Sequence, residues 1–160
     1  MFEAGLYNLL ASNPGIMAQV GGSPFARADG ASGVFPVQLP EASTLPACVY
    51  TVLHGQSVNS VQGTNRLEFK RLQVDCYGRH YGDAKNMMKV VMDCLLSYHG
   101  PLSDGTFMAG ALKVAEIDAF EDAPFLYRGV VDFSVHITNP AECGFAGTAV
   151  LPSGGQFYIN

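Results

Sequence analysis

Residues 66–98 read RLEFKRLQVDCYGRHYGDAKNMMKVVMDCLLSY, and this stretch decides the fold class. Its first part, Arg66–Tyr77, alternates apolar and polar side chains with the period of two that predicts a half-buried β-strand. The alternation shifts by one residue across Lys70-Arg71, which predicts a β-bulge at that point. The second part, Tyr81–Tyr98, repeats its apolar residues at helical spacing and predicts a long amphipathic helix, with a buried stripe of Ala84, Met87, Met88, Val91, Leu95 and Tyr98.

Further strands are predicted on both sides of this stretch. Before it, Ala47–His54 is rich in β-branched and aromatic residues, whereas Gly55–Asn65 has the composition of a polar loop. After it, Phe107–Phe120 and Leu126–Ile137 are predicted strands joined by a short turn. The last strand alternates throughout, with Val131, Phe133, Val135 and Ile137 directed inward and Asp132, Ser134 and His136 directed outward.

The N-terminal part of the chain predicts one short helix followed by irregular structure. The helix covers Phe2–Ser12 and is stopped by Asn13-Pro14-Gly15. Residues 14–46 hold five of the nine prolines. Within them, Ser23–Arg27 and Val34–Gln38 are predicted to form an irregular hairpin at a sheet edge, because a proline cannot donate a hydrogen bond inside a central strand.

These elements predict an α+β fold. We expect an antiparallel or mixed β-sheet that is packed on one face by two helices and carries the protruding irregular hairpin. Residues 1–138 are predicted to form a single domain, and residues 139–160 a C-terminal extension.

Composition narrows the class of function. The chain has 160 residues, of which 48% are hydrophobic and 14% charged, so it can bury a sizeable core and is not a disordered chain. The net charge of −5 argues against sequence-specific binding of nucleic acid. The start of the chain lacks a signal peptide, and the most apolar run, Val90–Leu96, is interrupted by Asp93, so we expect folding in a cytosol and no membrane span.

Motifs for catalysis, metal binding or cofactor binding are incomplete. Gly105–Gly110 has the glycine spacing of a phosphate loop but lacks the lysine and hydroxyl residue that must follow it. Gly30–Gly33 is one residue short of a nucleophile elbow. The histidines have no metal-ligand spacing, and the four cysteines are widely spaced, as expected for small buried side chains in a reducing compartment. We therefore expect a protein that is not an enzyme and uses neither a metal nor a cofactor.

Charged residues are distributed unevenly along the chain. Residues 66–89 contain six basic residues against three acidic ones, and residues 90–160 contain eight acidic residues against two basic ones. This polarity suits head-to-tail association into a ring, but the two segments can equally neutralise each other inside one molecule. The candidate interface residues are charged or aromatic: Arg66, Lys70, Arg71, Glu116, Asp118, Glu121, Asp122, Phe25, Phe35, Phe145, Phe157 and Tyr158.

The stretch from about Leu45 to Ile137 resembles a known family. The resemblance is carried by Leu45-Pro-Ala-Cys-Val-Tyr50, by Arg71-Leu-Gln-Val-Asp-Cys-Tyr-Gly78 leading into Tyr81-Gly-Asp-Ala84, and by the late strand Tyr127–Ile137. On these residues the chain is similar to the tail terminator, or tail completion, proteins of long-tailed bacteriophages.

This resemblance implies a structural protein of the virion, assembled in the host cytoplasm. Members of the family cap the growing tail tube, commonly as a hexameric ring, end its polymerisation and provide the surface that joins the tail to the head. The implied partners are further copies of the chain, the tail tube protein and a head completion or connector protein.

The sequence leaves three points open: two alternative functions and the role of the C-terminal extension. One is a head-side connector or adaptor of the same particle. Another is a small enzyme whose pocket between helix and sheet would use His136, Asp132 or Cys76 as titrating groups. The third concerns the C-terminal extension: its aromatic residues can dock on another subunit, or the segment can fold back on the edge of its own sheet.

Overall fold

The computed structural model describes residues 1–20, 33–41, 43–60, 63–122 and 125–138, and of residues 58–60 and 63–66 it describes the backbone alone. Within these ranges the chain forms three helices and six strands. In chain order they are α1 (Phe2–Ser12), α2 (Pro14–Gln19), β1 (Val34–Pro36), β2 (Ala47–Ser60), β3 (Gly63–Gly78), α3 (Tyr81–Ser97), β4 (Gly100–Pro101), β5 (Phe107–Glu121) and β6 (Leu126–Thr138).

The strands form one mixed sheet in the order β1-β2-β3-β6-β5-β4. β1 runs parallel to β2, and all the other neighbours are antiparallel. Two long hairpins, β2–β3 and β5–β6, make up most of the sheet and meet along β3 and β6. The predicted mixed α+β class is therefore confirmed.

One face of the sheet forms the main hydrophobic core, and we call it the helix face. Leu72 and Val74 of β3 lie opposite Phe133 and Val131 of β6, and these four side chains are completely buried. Helix α3 packs over them with the predicted stripe, of which Ala84, Met87, Met88, Val91 and Leu95 are buried and Tyr98 is partly buried. Helix α1 contributes Phe2, Leu6 and Leu10 to the same core.

The helical part differs from the expected pair because α2 is a third helix. Asn13 and Pro14, which were predicted to stop α1, also start α2. The side-chain oxygen of Asn13 accepts hydrogen bonds from the backbone N–H groups of Gly15 at 2.9 Å and Ile16 at 3.2 Å. Pro14 occupies the first turn, where its missing N–H costs nothing. The same two residues therefore end α1 and begin α2.

The predicted polar loop at Gly55–Asn65 is wrong. β2 continues to Ser60 and β3 begins at Gly63, so the region forms the far end of the β2–β3 hairpin. Backbone hydrogen bonds between the two strands hold this part of the hairpin together, and they do not depend on apolar side chains. The polar composition of this region therefore led to the wrong prediction of a loop.

The predicted bulge at Lys70-Arg71 is also wrong. β3 pairs with β6 in an unbroken register from Leu67 to Gly78. The register shift lies on β2 instead, between Val52 and His54, so the extra residue is Leu53. The change of parity in the sequence has another cause: Phe69 lies on the face opposite the helices, with its ring edge-on to His136 at 4.5 Å.

β1 lies at the edge of the sheet, where the second arm of the irregular hairpin was expected. The first arm, Ser23–Arg27, falls outside the described residues, and so does the whole predicted C-terminal extension, residues 139–160. Among the residues that the structure describes, no helix has the length and apolar character needed to cross a membrane.

Candidate interaction surface

The face of the sheet opposite the helices, which we call the outer face, contains a cavity of about 780 Å³. Its floor is formed by side chains of β3 and β6, including Asp75, Tyr77 and Arg128. Its walls are residues 37–41, 43 and 45, which follow β1, together with Glu121 at the end of β5 and Phe125 and Leu126 where β6 begins. Phe35, Ala47 and Val49 form a small second core next to this wall, packed against Leu39, Leu45 and Tyr77.

Two large apolar side chains stand at the mouth of the cavity. Val37 and Phe125 are each 74% exposed. Both have backbone angles in the left-handed region, with φ of 64° and 42°. This conformation costs a non-glycine residue roughly 1–2 kcal/mol. Exposed apolar residues in a strained backbone are typical of contact sites, so this pair, the cavity rim, is a candidate docking point.

The floor of the cavity is a network of charges. Arg128 donates hydrogen bonds to Asp75 at 2.9 Å and to Glu121 at 3.3 Å, and its guanidinium lies 5.8 Å from the ring centre of Tyr77. Burial raises the pKa of Tyr77, and burial alone would lower the pKa of Arg128, but the hydrogen bond and the charge of Asp75 raise it overall. These contacts favour the cationic form of Arg128, although its buried Nε has no hydrogen-bond partner among the described residues.

A second cluster of charges connects β5 to the start of α3. The Lys85 ammonium lies 2.6 Å from Asp118 and 3.3 Å from Glu116, and Lys113 lies 3.2 Å from Glu116. Tyr81 donates a further hydrogen bond to Asp118. The hydrogen bond from Lys85 lowers the pKa of Asp118, and hydrogen bonds from Lys113 and Lys85 lower the pKa of Glu116.

Lys70 and Arg71 point to opposite faces of the sheet. Lys70 lies on the helix face, 3.0 Å from Glu68 and 5.7 Å from the ring centre of Phe2. Arg71 lies on the outer face, 2.7 Å from Asp132. Both basic residues therefore have a carboxylate partner inside the monomer. Arg71 and Lys85 thus pair with carboxylates of the acidic segment inside one molecule, whereas Glu68, the partner of Lys70, belongs to the basic segment itself.

The remaining predicted interface residues are scattered. Asp122 is exposed, and Glu121 lines the cavity. Phe35 is buried in the second core rather than exposed to a partner. The side chain of Arg66, and the whole of Phe25, Phe145, Phe157 and Tyr158, lie outside the described residues.

Sequence reasoning missed the cavity and its rim. Val37 follows a proline in an irregular segment, and Phe125 follows the predicted turn 121–124, so neither belongs to a periodic apolar pattern. A single apolar residue next to a turn is a weak signal. The left-handed backbone conformation of Val37 and Phe125 is seen only in the three-dimensional structure.

The three residues proposed for an enzyme do not come together. Cys76 is buried on the helix face, and burial raises its pKa well above the ordinary value, which disfavours the reactive thiolate. Asp132 and His136 lie on the outer face, where Asp132 pairs with Arg71 and His136 contacts Phe69. In the described part of the chain, no cluster of three or more histidine, cysteine or acidic residues could hold a metal ion.

Both the sequence and the fold of this chain have matches among known proteins. The sequence matches the family described as "Tail completion protein gp17" over residues 4–138. Among solved structures, the fold is similar to a chain from the structure titled "Virion of native gene transfer agent (GTA) particle". The two chains share 14% sequence identity and a TM-score of 0.61, and the match covers 86% of this chain and 94% of the other. No curated protein matches the chain.

The family match defines the class of protein, a structural protein of a phage-like tail. The family match spans most of the chain and nearly all of the described residues. The chain belongs to the tail completion protein gp17 family.

Proposed function

We propose that the protein caps the tail tube as a ring of six copies, ends polymerisation of the tube, and provides the surface that joins the tail to the head. The observation that carries this proposal is membership of the tail completion family over residues 4–138. The likeness in fold to a chain of a gene transfer agent virion supports incorporation of the protein into a virion. Assembly in the host cytoplasm is part of the same proposal.

The shape of the subunit supports a ring. The sheet has two unlike edges: β1 and β2 lie at one edge, and β4 and β5 lie at the other. A subunit with unlike sides can bind the next copy head to tail, and a closed ring follows when the rotation between copies divides a full turn. Among the charged candidates, the half-exposed Arg71 and the exposed Asp122 are best placed to contact a neighbouring copy.

The cavity rim is proposed as the contact with the next protein in the particle, either the tail tube protein or the head completion or connector protein. Two exposed apolar residues beside a cavity are a compact anchor point, which is where binding energy concentrates in protein interfaces. Phe157 and Tyr158 of the C-terminal extension are proposed to add aromatic contacts to the same partner.

The test combines assembly with binding. Native mass measurement of the purified protein reports the number of copies in the ring, and electron microscopy with tail tubes reports binding to tube ends. We expect a six-copy ring that binds tube ends, and loss of binding in Phe125→Asp. Leu96→Asp, at an exposed apolar residue on α3, is the matched control and should bind normally.

Two results would overturn the proposal. A protein that stays monomeric at all concentrations, with or without tubes, cannot be a ring-forming cap. A protein that ignores tube ends but binds the head connector is instead a head-side adaptor, which is the second candidate from the sequence.

A further inference from the structure

Among the described residues, most of β5 has a partner strand on one side only. β4 pairs with Phe107 and Met108, and from Ala109 to Glu121 the described part of the chain pairs with β5 only on the side that faces β6. An open edge of this length presents a row of unpaired backbone N–H and C=O groups. Natural proteins usually cover such an edge or keep it short.

This open edge is also apolar. Leu112 is 61% exposed, Val114 is 53% exposed and Ile117 is 58% exposed. The register shift between Lys113 and Ala115 places Leu112 and Ile117 on the same face, since they lie opposite Ser134 and Val130 of the outer face. Exposed apolar side chains beside free backbone groups favour the addition of one more strand.

We propose that residues 145–151 of the same chain cover this edge as a strand parallel to β5. The segment reads Phe145-Ala-Gly-Thr-Ala-Val-Leu151 and contains no charged residue. Phe145 and Leu151 are six residues apart and fall on the same face of an extended strand, on which they can pack beside Leu112 and Ile117. Pro152 then ends the strand, because it cannot donate to the ladder.

The connection is long enough to be made within one molecule. β6 ends at Thr138, which lies directly opposite Phe107, the first residue of β5. A strand added to the open edge lies two strand spacings from β6, or about 10 Å. Residues 139–144 can span roughly 20 Å when extended, so residue 145 can reach the start of the open edge near Gly110. From there, seven residues run alongside residues 110–116.

This inference does not rest on the proposed function, because it concerns the monomer. The experiment is amide hydrogen exchange of the full chain in dilute solution, where sedimentation confirms a monomer. We expect protection of residues 110–117 in the full chain. A chain truncated after Thr138 should lose that protection by about tenfold or more, whereas peptides from β6 should keep theirs.

A pair of point variants tests the same idea without truncation. Leu151→Asp places a charge in the proposed strand and should expose residues 110–117 to exchange. Ser153→Asp places the same charge just beyond Pro152 and should leave their exchange unchanged. Equal exchange of residues 110–117 in the full chain, in Leu151→Asp and in the truncated chain would overturn the proposal.

A mixing experiment separates the same chain from a second copy as the source of the strand. Isotope-labelled truncated chain is mixed with an excess of unlabelled full chain, and exchange is measured on the labelled molecules. Continued fast exchange at residues 110–117 is expected. If the full chain restores protection to the truncated one, the edge is covered by a neighbouring copy, and the proposal of an intramolecular strand is wrong.

Discussion

The two faces of the sheet use the same strands for different purposes. On the helix face, Phe133 and Leu72 are completely buried against α3 and its neighbours. On the outer face, Arg71 and Asp132 form an ion pair, and a cavity separates charged floor residues from an exposed apolar rim. The helix face therefore holds the larger share of the buried apolar contacts, and we expect it to contribute most to stability, while the outer face is open to contacts with other proteins. Four predictions test this division, beginning with the largest effect.

Phe133→Ala should destabilise the protein by about 3–5 kcal/mol, because it empties a fully buried site under α3. Phe125→Ala is the matched control: the same change at the exposed cavity rim should alter stability by less than about 0.5 kcal/mol. Chemical denaturation of both variants measures the two values. Similar losses at the two positions would remove the distinction between the faces.

Gly78→Ala should destabilise by about 1–3 kcal/mol through overpacking. A Cβ at this position would lie 2.7 Å from the backbone nitrogen of Ala84 and 2.9 Å from the Cβ of Asp83, both in the first turn of α3. Gly82→Ala is the control, since a Cβ there meets nothing within 4 Å, and it should stabilise the helix by up to about 1 kcal/mol. Thermal unfolding checks the signs. A neutral Gly78→Ala would mean that α3 does not start as close to β3 as the structure shows.

Arg128→Met should cost about 1–3 kcal/mol, because it deprives the buried carboxylate of Asp75 of its charged partner. Gln73 would still donate to Asp75 at 2.9 Å. Arg71→Met removes a half-exposed partner of Asp132 and should cost less than about 1 kcal/mol. If the two variants unfold at the same denaturant concentration, burial does not distinguish the two ion pairs of the outer face.

Lys85→Met should have the smallest effect, below about 1 kcal/mol, because its ion pairs are exposed to solvent. Lys85 holds the pKa of Asp118 below its ordinary value, and Lys113 and Lys85 together hold the pKa of Glu116 below its own, so these carboxylates stabilise the fold above their unfolded pKa values. That contribution is lost as the pH falls through their folded pKa values. We therefore expect a flatter acid dependence of stability in the variant than in the unchanged protein.

Carboxyl NMR titration of Lys85→Met should show the pKa of Asp118 rising towards its ordinary value. Lys89→Met, one turn further along α3, is the control and should leave that pKa unchanged. An unchanged pKa in Lys85→Met would show that Tyr81, rather than the lysine, holds the carboxylate in its charged form.

Much of the fold could be predicted because the periodic spacing of apolar residues is contained within individual helices and strands. The alternation of β6 and the stripe of α3 each repeat over more than ten residues, and the structure confirms both. The failures occurred where the local pattern was weak. The polar half of the β2–β3 hairpin has no apolar period, and the start of α2 was concealed by the same Asn13-Pro14 pair that ends α1.

The candidate site could be predicted only in part. The sequence pointed to Glu116, Asp118 and Glu121 as candidate interface residues, but it could not show that Lys85 and Arg128 pair with their carboxylates. It also left Val37 and Phe125 unremarked, since neither follows a period. Whether the charged candidates contact a neighbouring copy stays a prediction.

By itself, the sequence determined the type of most elements, the direction in which their apolar side chains point, and the resemblance to tail completion proteins. These are properties of neighbouring residues, and the periods of the helix and the strand express them directly. Only the packing of distant segments brings Arg71 to Asp132, 61 residues away, places the extra residue at Leu53, and sets Val37 and Phe125 around the same cavity. Each of these depends on the register between strands far apart in the chain, and register is set by the packing of the whole sheet.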